Sequence, residues 1–161
     1  ADDLDPRWIV PRPGTDVAVM LGMAYVLETQ NLADRTFLAS HCVGYERFQS
    51  YLLGQTDGQA KTPQWAAEIS SVSASTIESL AVEAAGKRTF LTAAWSLQRA
   101  DHGEQPYWML VTLAAMLGQV GLTGGGVGFG YSAEGFVGSN WRRFNWATCI
   151  DDFLGYRKML H

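Results

Sequence analysis

Two short segments carry the residue types best suited to holding a ligand. The first, residues 13–16, reads Pro-Gly-Thr-Asp and stands just before an apolar stretch. Gly14 lets the backbone approach a ligand, Thr15 offers a hydroxyl, and a helix start offers unpaired N–H groups. Asp16 has the wrong charge for phosphate, but its carboxylate suits the donors of guanine or the hydroxyls of ribose. An ordinary helix cap explains the same residues, so residue types alone leave both interpretations open.

The second segment, residues 95–99, contains Trp95, Ser96 and Arg99 and is followed by a polar run at residues 101–105. The forked donors of Arg99 suit a phosphate or a ring carbonyl, and Trp95 offers a face on which a ring can stack. A buried tryptophan beside a surface arginine is the alternative. It also stays open, because one polar cluster is weak evidence for a pocket.

Other kinds of site lack their residue patterns. Cys42 and Cys149 have neither CxxC nor histidine spacing, so we predict no zinc site. We expect two free, buried thiols, with one structural disulfide as the alternative. The glycine run at residues 124–128 lacks the lysine and the following helix of a phosphate loop, and we expect a tightly turned or flexible loop there. We therefore predict no catalytic side chain and no metal ligand in this chain.

Length and composition limit the class of protein. The 161 residues are 47% hydrophobic and 17% charged, with a net charge of −4. The charged fraction lies below the ~25% of ordinary soluble domains, which is typical of a chain partly covered by neighbours. The absence of a basic run excludes nucleic acid as a partner. No apolar run reaches the ~18 residues that span a bilayer, and the acidic start lacks the features of a signal peptide.

The candidate segments must be positioned by strands and helices. We expect residues 8–10 to end one strand and residues 88–95 to form a second, buried strand. Helices are predicted from Thr15 or Asp16 to Thr29, from Asp34 to His41, from Gly44 to Leu53, from Pro63 onward, from a capping box of Ser75 and Glu78 to Gly86, and from Gly103 to Gly118.

This order predicts an α/β fold, with a Rossmann-like parallel sheet flanked by helices and right-handed crossovers. Both candidate segments would then lie at the carboxyl ends of strands, where ligands bind in such sheets. Two strands are too few for an independent sheet, so we expect a helix-rich partial domain.

Motifs along the chain follow one another in a recognisable order. They include residues 8–18, around PGTD, residues 37–67, and the sharpest one, WSLQRADHGEQ, at residues 95–105. From about residue 8 to residue 131 the sequence resembles a cofactor-binding domain of the molybdopterin oxidoreductase (dimethyl sulfoxide reductase) family, in the branch that reduces S-oxides and N-oxides. Residues 132–161, an aromatic tail that contains glycine, resemble it loosely. The chain is thus interpreted as a single partial domain, residues 1–161, internal to a longer enzyme.

The resemblance implies a parent enzyme with molybdenum bis(molybdopterin guanine dinucleotide) that reduces trimethylamine N-oxide, dimethyl sulfoxide or biotin sulfoxide. It implies six residues that contact the cofactor: Gly14, Thr15 and Asp16 at the nucleotide end, and Trp95, Ser96 and Arg99 at the pterin and phosphate side. The molybdenum ligand of that branch is a serine from a preceding segment, so Ser96 is not assigned that role.

Further expectations follow from the same resemblance. The isolated chain should lack the cofactor and be inactive. Apart from the resemblance, the helices at residues 17–27 and 107–118 are apolar nearly all round and need cover from neighbouring segments, so the isolated chain should self-associate. Its parent should need its remaining domains and an electron donor, a c-type cytochrome or another reductant. The implied compartment is the periplasm, or the cytoplasm if the parent is like biotin sulfoxide reductase. The alternative is a stand-alone module of the same fold that binds a nucleotide or acts as a scaffold without catalysis.

Overall fold

Six α-helices make up half of residues 6–129, which are the residues that the computed structural model describes. They are α1 Asp16–Thr29, α2 Arg35–His41, α3 Tyr45–Leu52, α4 Pro63–Ser70, α5 Ala74–Gly86 and α6 Gln105–Met116. Two strands, β1 Phe90–Ala93 and β2 Gly126–Phe129, pair in parallel, and a short 3-10 helix, Trp95–Arg99, follows β1. The chain divides into the units Ala1–Tyr131 and Ser132–His161, and the second, with the predicted aromatic tail, lies outside the described residues.

Polar caps begin α2 and α4 where the sequence predicts them. Asp34 accepts a hydrogen bond from the N–H of Phe37 at 2.9 Å. Thr62 accepts one from the N–H of Trp65 at 3.1 Å, and Pro63 occupies the first turn of α4, where its missing N–H is not needed. Local sequence signals therefore fix both helix starts.

The predicted capping box of α5 is wrong. The cap is Ser73, whose backbone is extended and whose hydroxyl accepts the N–H of Thr76 at 3.2 Å. Ser75 and Glu78 both lie inside the helix. A cap residue needs an extended backbone, and the chain has already become helical at Ser75, so the earlier serine takes the role.

Helix α1 forms the centre of the core and packs against α4, α5 and α6. It is buried on nearly all sides, as its apolar sequence predicts, and Leu27 is fully covered. At Gly22 the helices approach so closely that an added Cβ would lie 2.9 Å from the Cβ of Ala66 and 3.0 Å from a methyl carbon of Ile77. Glycine is therefore required there by packing.

The strand expected at residues 8–10 is not formed. Trp8 and Val10 are 85% and 83% exposed, and neither lies in regular secondary structure. The sheet described by the structure has the order β1–β2, so residues 8–10 have no strand to pair with. Three apolar residues do not make a strand without such a partner, because their backbone hydrogen bonds must come from a neighbour.

The second strand instead comes from the glycine-rich stretch that was expected to be a loop. β2 runs beside β1, with Leu91 opposite Val127. β1 is shorter than the predicted residues 88–95 and is not buried, since Phe90 is 43% exposed. The helix-rich α/β character and the parallel pairing are confirmed, while a full Rossmann-like sheet stays a prediction. Within residues 6–129 no helix is long and apolar enough to cross a membrane.

Candidate functional site

The first candidate segment forms an exposed turn at the start of α1. Gly14 has a φ of +76°, which favours glycine, and an added Cβ would meet no atom within 4 Å. Thr15 occupies the cap position, but its hydroxyl donates to the carbonyl of Arg12 at 2.6 Å and caps no helix N–H. The ordinary-cap interpretation is therefore wrong for the Thr15 side chain, which closes the turn instead.

Polar groups at this turn have no partner in the described part of the chain. The backbone N–H groups of Asp16 and Val17 form no hydrogen bond there, and the half-buried Asp16 carboxylate accepts none. One acceptor group and two donors thus stand together beside the open backbone of Gly14. This arrangement can bind a ligand that has both donors and acceptors.

The turn is fastened to the α4–α5 connection, which comprises the last residue of α4 and the three residues that follow it, Ser70 to Ser73. The backbone N–H of Arg12 donates to the carbonyl of Ser70 at 2.8 Å, and its guanidinium donates to the hydroxyl of Ser71 at 3.1 Å. The segment was expected at the end of a strand. It follows a stretch without regular secondary structure, because residues 8–10 form no strand.

The second candidate segment directly follows β1, as predicted. Trp95, at 41% exposure, begins the 3-10 helix, and Ser96 and Arg99 are exposed. The buried-tryptophan alternative is therefore wrong. No hydrogen bond or ion pair from the three side chains to another described residue is formed, so an indole face and a guanidinium are open to a ligand. The hydroxyl of Tyr107 on α6 donates to the carbonyl of Ala94 at 2.8 Å and anchors the segment.

A tight turn after this segment escaped sequence reasoning. His102 has a φ of +54°, and a Cβ on Gly103 would lie 2.6 Å from the carbonyl oxygen of Gln98. The turn folds back so closely against the 3-10 helix that only glycine fits at position 103. The HG pair at residues 102–103 was the available signal.

The two candidate segments have different supports. The 13–16 turn is bound to the α4–α5 connection, and the 95–99 segment to β1 and α6. No hydrogen bond or ion pair between the two segments is present among residues 6–129. The six residues expected to contact a cofactor therefore lie on two segments that no hydrogen bond or ion pair among the described residues joins, and their contacts stay a prediction. Cys42 is a free, half-buried thiol, and Cys149 lies outside the described residues.

Glu28, which sequence reasoning did not single out, is a buried carboxylate at the end of α1. It accepts hydrogen bonds from Arg35 at 2.7 Å, from the hydroxyl of Tyr45 at 2.6 Å, and from Gln49. Burial acts to raise the pKa of Glu28, but these hydrogen bonds and the Arg35 charge outweigh it and lower the pKa. Burial and the adjacent carboxylate strongly raise the pKa of Tyr45. The cluster ties α1 to the start of α2 and to α3.

Lys61 is a second buried charge that serves the fold. Its ammonium donates to the carboxylate of Asp57 and to the carbonyl of Gln59, and lies 4.3 Å from the ring centroid of Tyr51. The pairing lowers the pKa of the Asp57 carboxyl. All of these partners belong to the chain between α3 and α4 or to α3 itself, so Lys61 closes that connection.

Several known proteins are similar to this chain in sequence or in fold. The family model for molybdopterin oxidoreductase matches residues 3–144. A dimethyl sulfoxide/trimethylamine N-oxide reductase of Rhodobacter capsulatus is 53% identical over 127 residues, covering 79% of this chain and 15% of the relative. A trimethylamine-N-oxide reductase of Haemophilus influenzae is 53% identical over 128 residues, covering 80% of this chain and 16% of the relative.

Two further comparisons agree. Trimethylamine-N-oxide reductase 1 of Escherichia coli (strain K12) is 50% identical over 129 residues, covering 80% of this chain and 15% of the relative. The solved structure of acetylene hydratase from Pelobacter acetylenicus superposes with a TM-score of 0.58 at 25% identity, covering 67% of this chain and 14% of that one. The chain therefore spans about 15% of the length of the curated relatives it matches. Because the family model matches most of its length, this chain belongs to the molybdopterin oxidoreductase family.

Proposed function

We propose that these residues are an internal, cofactor-binding part of a molybdenum oxotransferase that reduces trimethylamine N-oxide, dimethyl sulfoxide or biotin sulfoxide. The observation that carries the proposal is the 53% identity, over 79% of the chain, to a reductase named for the first two of these substrates. A stand-alone nucleotide-binding or scaffold module is the less favoured alternative, because the relatives extend far beyond the matched residues.

The exposed groups of the two segments fit the parts of a molybdopterin guanine dinucleotide. The Asp16 carboxylate can accept the adjacent ring N–H and amine of guanine, and the open backbone at Gly14 lets the nucleotide come close. Arg99 offers forked donors for a phosphate, and Trp95 a face for a ring. Both are open in the structure, so no internal bond must break before a ligand binds.

The bound cofactor would supply a redox-active molybdenum centre for oxygen-atom transfer. The side chains of this chain would bind and orient it. Because Asp16 and Arg99 carry opposite charges on different segments, each would hold a different part of the cofactor. Their role is positioning, and none of them transfers a proton or an electron.

A chimaera tests the proposal. The matched 127-residue stretch of the Rhodobacter capsulatus reductase is replaced by the corresponding residues of this chain. Molybdenum content and reduced-viologen oxidation are then measured with each of the three oxides. We expect stoichiometric molybdenum and turnover with at least one oxide. A folded chimaera that retains no molybdenum contradicts the proposal.

A matched pair of variants distinguishes a loss of cofactor binding from a loss of stability. Arg99→Lys removes the guanidinium fork and should lower cofactor retention in the chimaera. Arg47→Lys makes the same change on an exposed residue of α3, away from both segments, and should have no effect. Equal retention in the two variants would remove Arg99 from the cofactor site.

We also propose a periplasmic parent that takes electrons from a c-type cytochrome or another reductant. A cytoplasmic parent is the alternative if its substrate is biotin sulfoxide. The support is the likeness to reductases named for trimethylamine N-oxide and dimethyl sulfoxide. A parent gene that encodes a twin-arginine signal supports the periplasm, and a complete parent gene that encodes no export signal contradicts it.

A further inference from the structure

The exposed turn at residues 13–16 has little packing of its own to hold its shape. A Cβ added at Gly14 would meet no atom within 4 Å, so no neighbouring group packs against the turn at that point. What fixes the turn is Arg12, whose carbonyl accepts both the N–H of Thr15 at 3.2 Å and its hydroxyl at 2.6 Å. The placement of Thr15 and Asp16 therefore depends on where Arg12 is held.

Arg12 is held at two points by the connection between α4 and α5. Its backbone N–H donates to the carbonyl of Ser70 at 2.8 Å, and its guanidinium to the hydroxyl of Ser71 at 3.1 Å. Two bonds from one residue to two successive residues fix both its position and its direction. The chain of contacts runs from the α4–α5 connection through Arg12 to Thr15.

The α4–α5 connection is itself tightly specified. Ser70 is fully buried, its hydroxyl donates to the carbonyl of Ala66 at 2.7 Å, and it accepts the N–H of Val72 at 3.2 Å. Ser71 has a φ of +65°, a conformation that costs a residue with a side chain some strain. Such strain persists only where the surroundings fix the backbone. The conformation turns the Ser70 carbonyl and the Ser71 hydroxyl toward the same partner.

We infer that Ser70 and Ser71 are positioning residues for the 13–16 turn and act on it through Arg12. The inference rests on the proposed function in so far as that turn holds the guanine end of the cofactor. It extends the site to a helix connection 54 residues further along the chain than Asp16, counting from position 16 to position 70, without giving those serines a ligand contact.

The ligand-free chain tests the positioning role first. In Ser71→Ala, amide hydrogen exchange at Thr15 should speed up by about two- to tenfold, the factor that corresponds to losing one hydrogen bond. Arg12→Ala should have the same effect. Ser40→Ala removes a hydroxyl bonded within α2 and should leave Thr15 unchanged. Unchanged exchange at Thr15 in both Ser71→Ala and Arg12→Ala overturns the inference.

Two further variants separate positioning from stability. Ser71→Gly relieves the positive φ but removes the hydroxyl, so its melting temperature should be no lower than that of Ser71→Ala while Thr15 exchange stays fast. Ser71→Asn tolerates the same φ and restores a side-chain acceptor, so it should recover slow exchange. Exchange that follows the melting temperature instead would show that Ser71 acts on overall stability alone and would overturn the inference.

A nucleotide titration keeps the two proposals apart. Guanosine diphosphate is titrated into the chain and followed by the amide signals of residues 14–17, with adenosine diphosphate as the comparison. We expect weaker guanosine diphosphate binding in Ser71→Ala and recovery in Ser71→Asn. If the unmodified chain binds neither nucleotide but the exchange results hold, the guanine site fails and the positioning of the turn stands. If it binds guanosine diphosphate and Ser71→Ala changes neither exchange nor affinity, the positioning fails and the site stands.

Discussion

A carboxylate enclosed by packed helices must be compensated, and Glu28 is compensated by three donors from α2 and α3. We predict that Glu28→Gln lowers the free energy of unfolding at neutral pH by about 1.5–3 kcal/mol, the usual range for hydrogen bonds to a charged group. Glu68→Gln, an exposed change on α4, should stay within about 0.5 kcal/mol. Urea unfolding of both variants measures the difference. Equal free energies of unfolding would show that the hydrogen bonds to Glu28 do not stabilise the fold.

The same carboxylate predicts a pH dependence. Its pKa in the folded chain is lowered from the ordinary value of 4.5, so the unfolded chain binds the proton more tightly. The stability that Glu28 contributes is therefore present above that value and is lost as the pH falls through the folded pKa. The gap in unfolding free energy between the unmodified chain and Glu28→Gln should shrink between about pH 5 and pH 3. A gap that widens with acidification would contradict the lowered pKa.

The role proposed for Asp16 is recognition of the guanine base. If it accepts guanine donors, the chain should prefer guanine to adenine nucleotides, with a weak affinity of about millimolar order, because the rest of the pocket lies elsewhere. Asp16→Asn should reduce that preference, since an amide places a donor where an acceptor is needed. Calorimetric titration with both nucleotides measures it. Equal binding of the two bases by the unmodified chain would count against the assignment.

Sequence alone identified these residues only in part. Gly14, Asp16 and Arg99 could be singled out because their types suit a ligand and they interrupt apolar patterns. The tether from Arg12 to Ser70 could not, because a bond between residues distant in sequence leaves no local signal. Glu28 gave one weak signal, a charge at the end of an apolar helix.

At the scale of elements, the closest approach in the core is where α1 crosses α4 and α5. Gly22→Ala would bring a methyl group to 2.9 Å from the Cβ of Ala66, and we predict a loss of about 1–3 kcal/mol, typical of overpacking. Gly86→Ala, at the end of α5, meets no atom within 4 Å and should be neutral or stabilising by up to about 1 kcal/mol. Thermal unfolding compares them. Similar melting temperatures would show that α1 can shift to accept the methyl.

The helices were predictable because their signals are local. Asp34 and Thr62 are residue types that favour helix starts, and the spacing of apolar residues predicts the helices that follow them. β2 was missed because Gly126 and Gly128 carry no side chain from which to read an alternation, and its strand character comes from pairing with β1. The opposite error at residues 8–10 has the same cause, since a strand depends on a partner that the local sequence does not contain.

The molecule as a whole leaves apolar surface uncovered. α1 is covered within the chain, contrary to the expectation that it would need outside cover, but α6 exposes Trp108 at 62% and Val111 at 46%. Among residues 6–129 no third strand extends the sheet on either side. We predict that the chain forms a dimer or larger assembly at micromolar concentration, and that Trp108→Glu combined with Val111→Lys weakens it. Size exclusion with light scattering measures the mass. A monomer of the unmodified chain would contradict the prediction.

The short span of the chain relative to its relatives also bears on activity. Because it covers about 15% of their length, most groups that would enclose a cofactor lie outside it. We predict that the purified chain retains no molybdenum and does not reduce the three oxides. Metal analysis and a reduced-viologen assay test this. Stoichiometric metal or turnover would show that these residues are more than a fragment.

The separation of β1 from β2 by all of α6 sets an order in which the polypeptide becomes stable during synthesis. The helices α1, α4 and α5, which pack together, lie within residues 16–86 and are complete before the ribosome has made either strand. β1 can pair with β2 only after α6 and β2 have been synthesised. Pulse labelling should therefore find amides of α1 protected early and those of Leu91 and Val127 late, so a nascent chain stalled after α6 would hold a formed helical core with β1 not yet joined to β2.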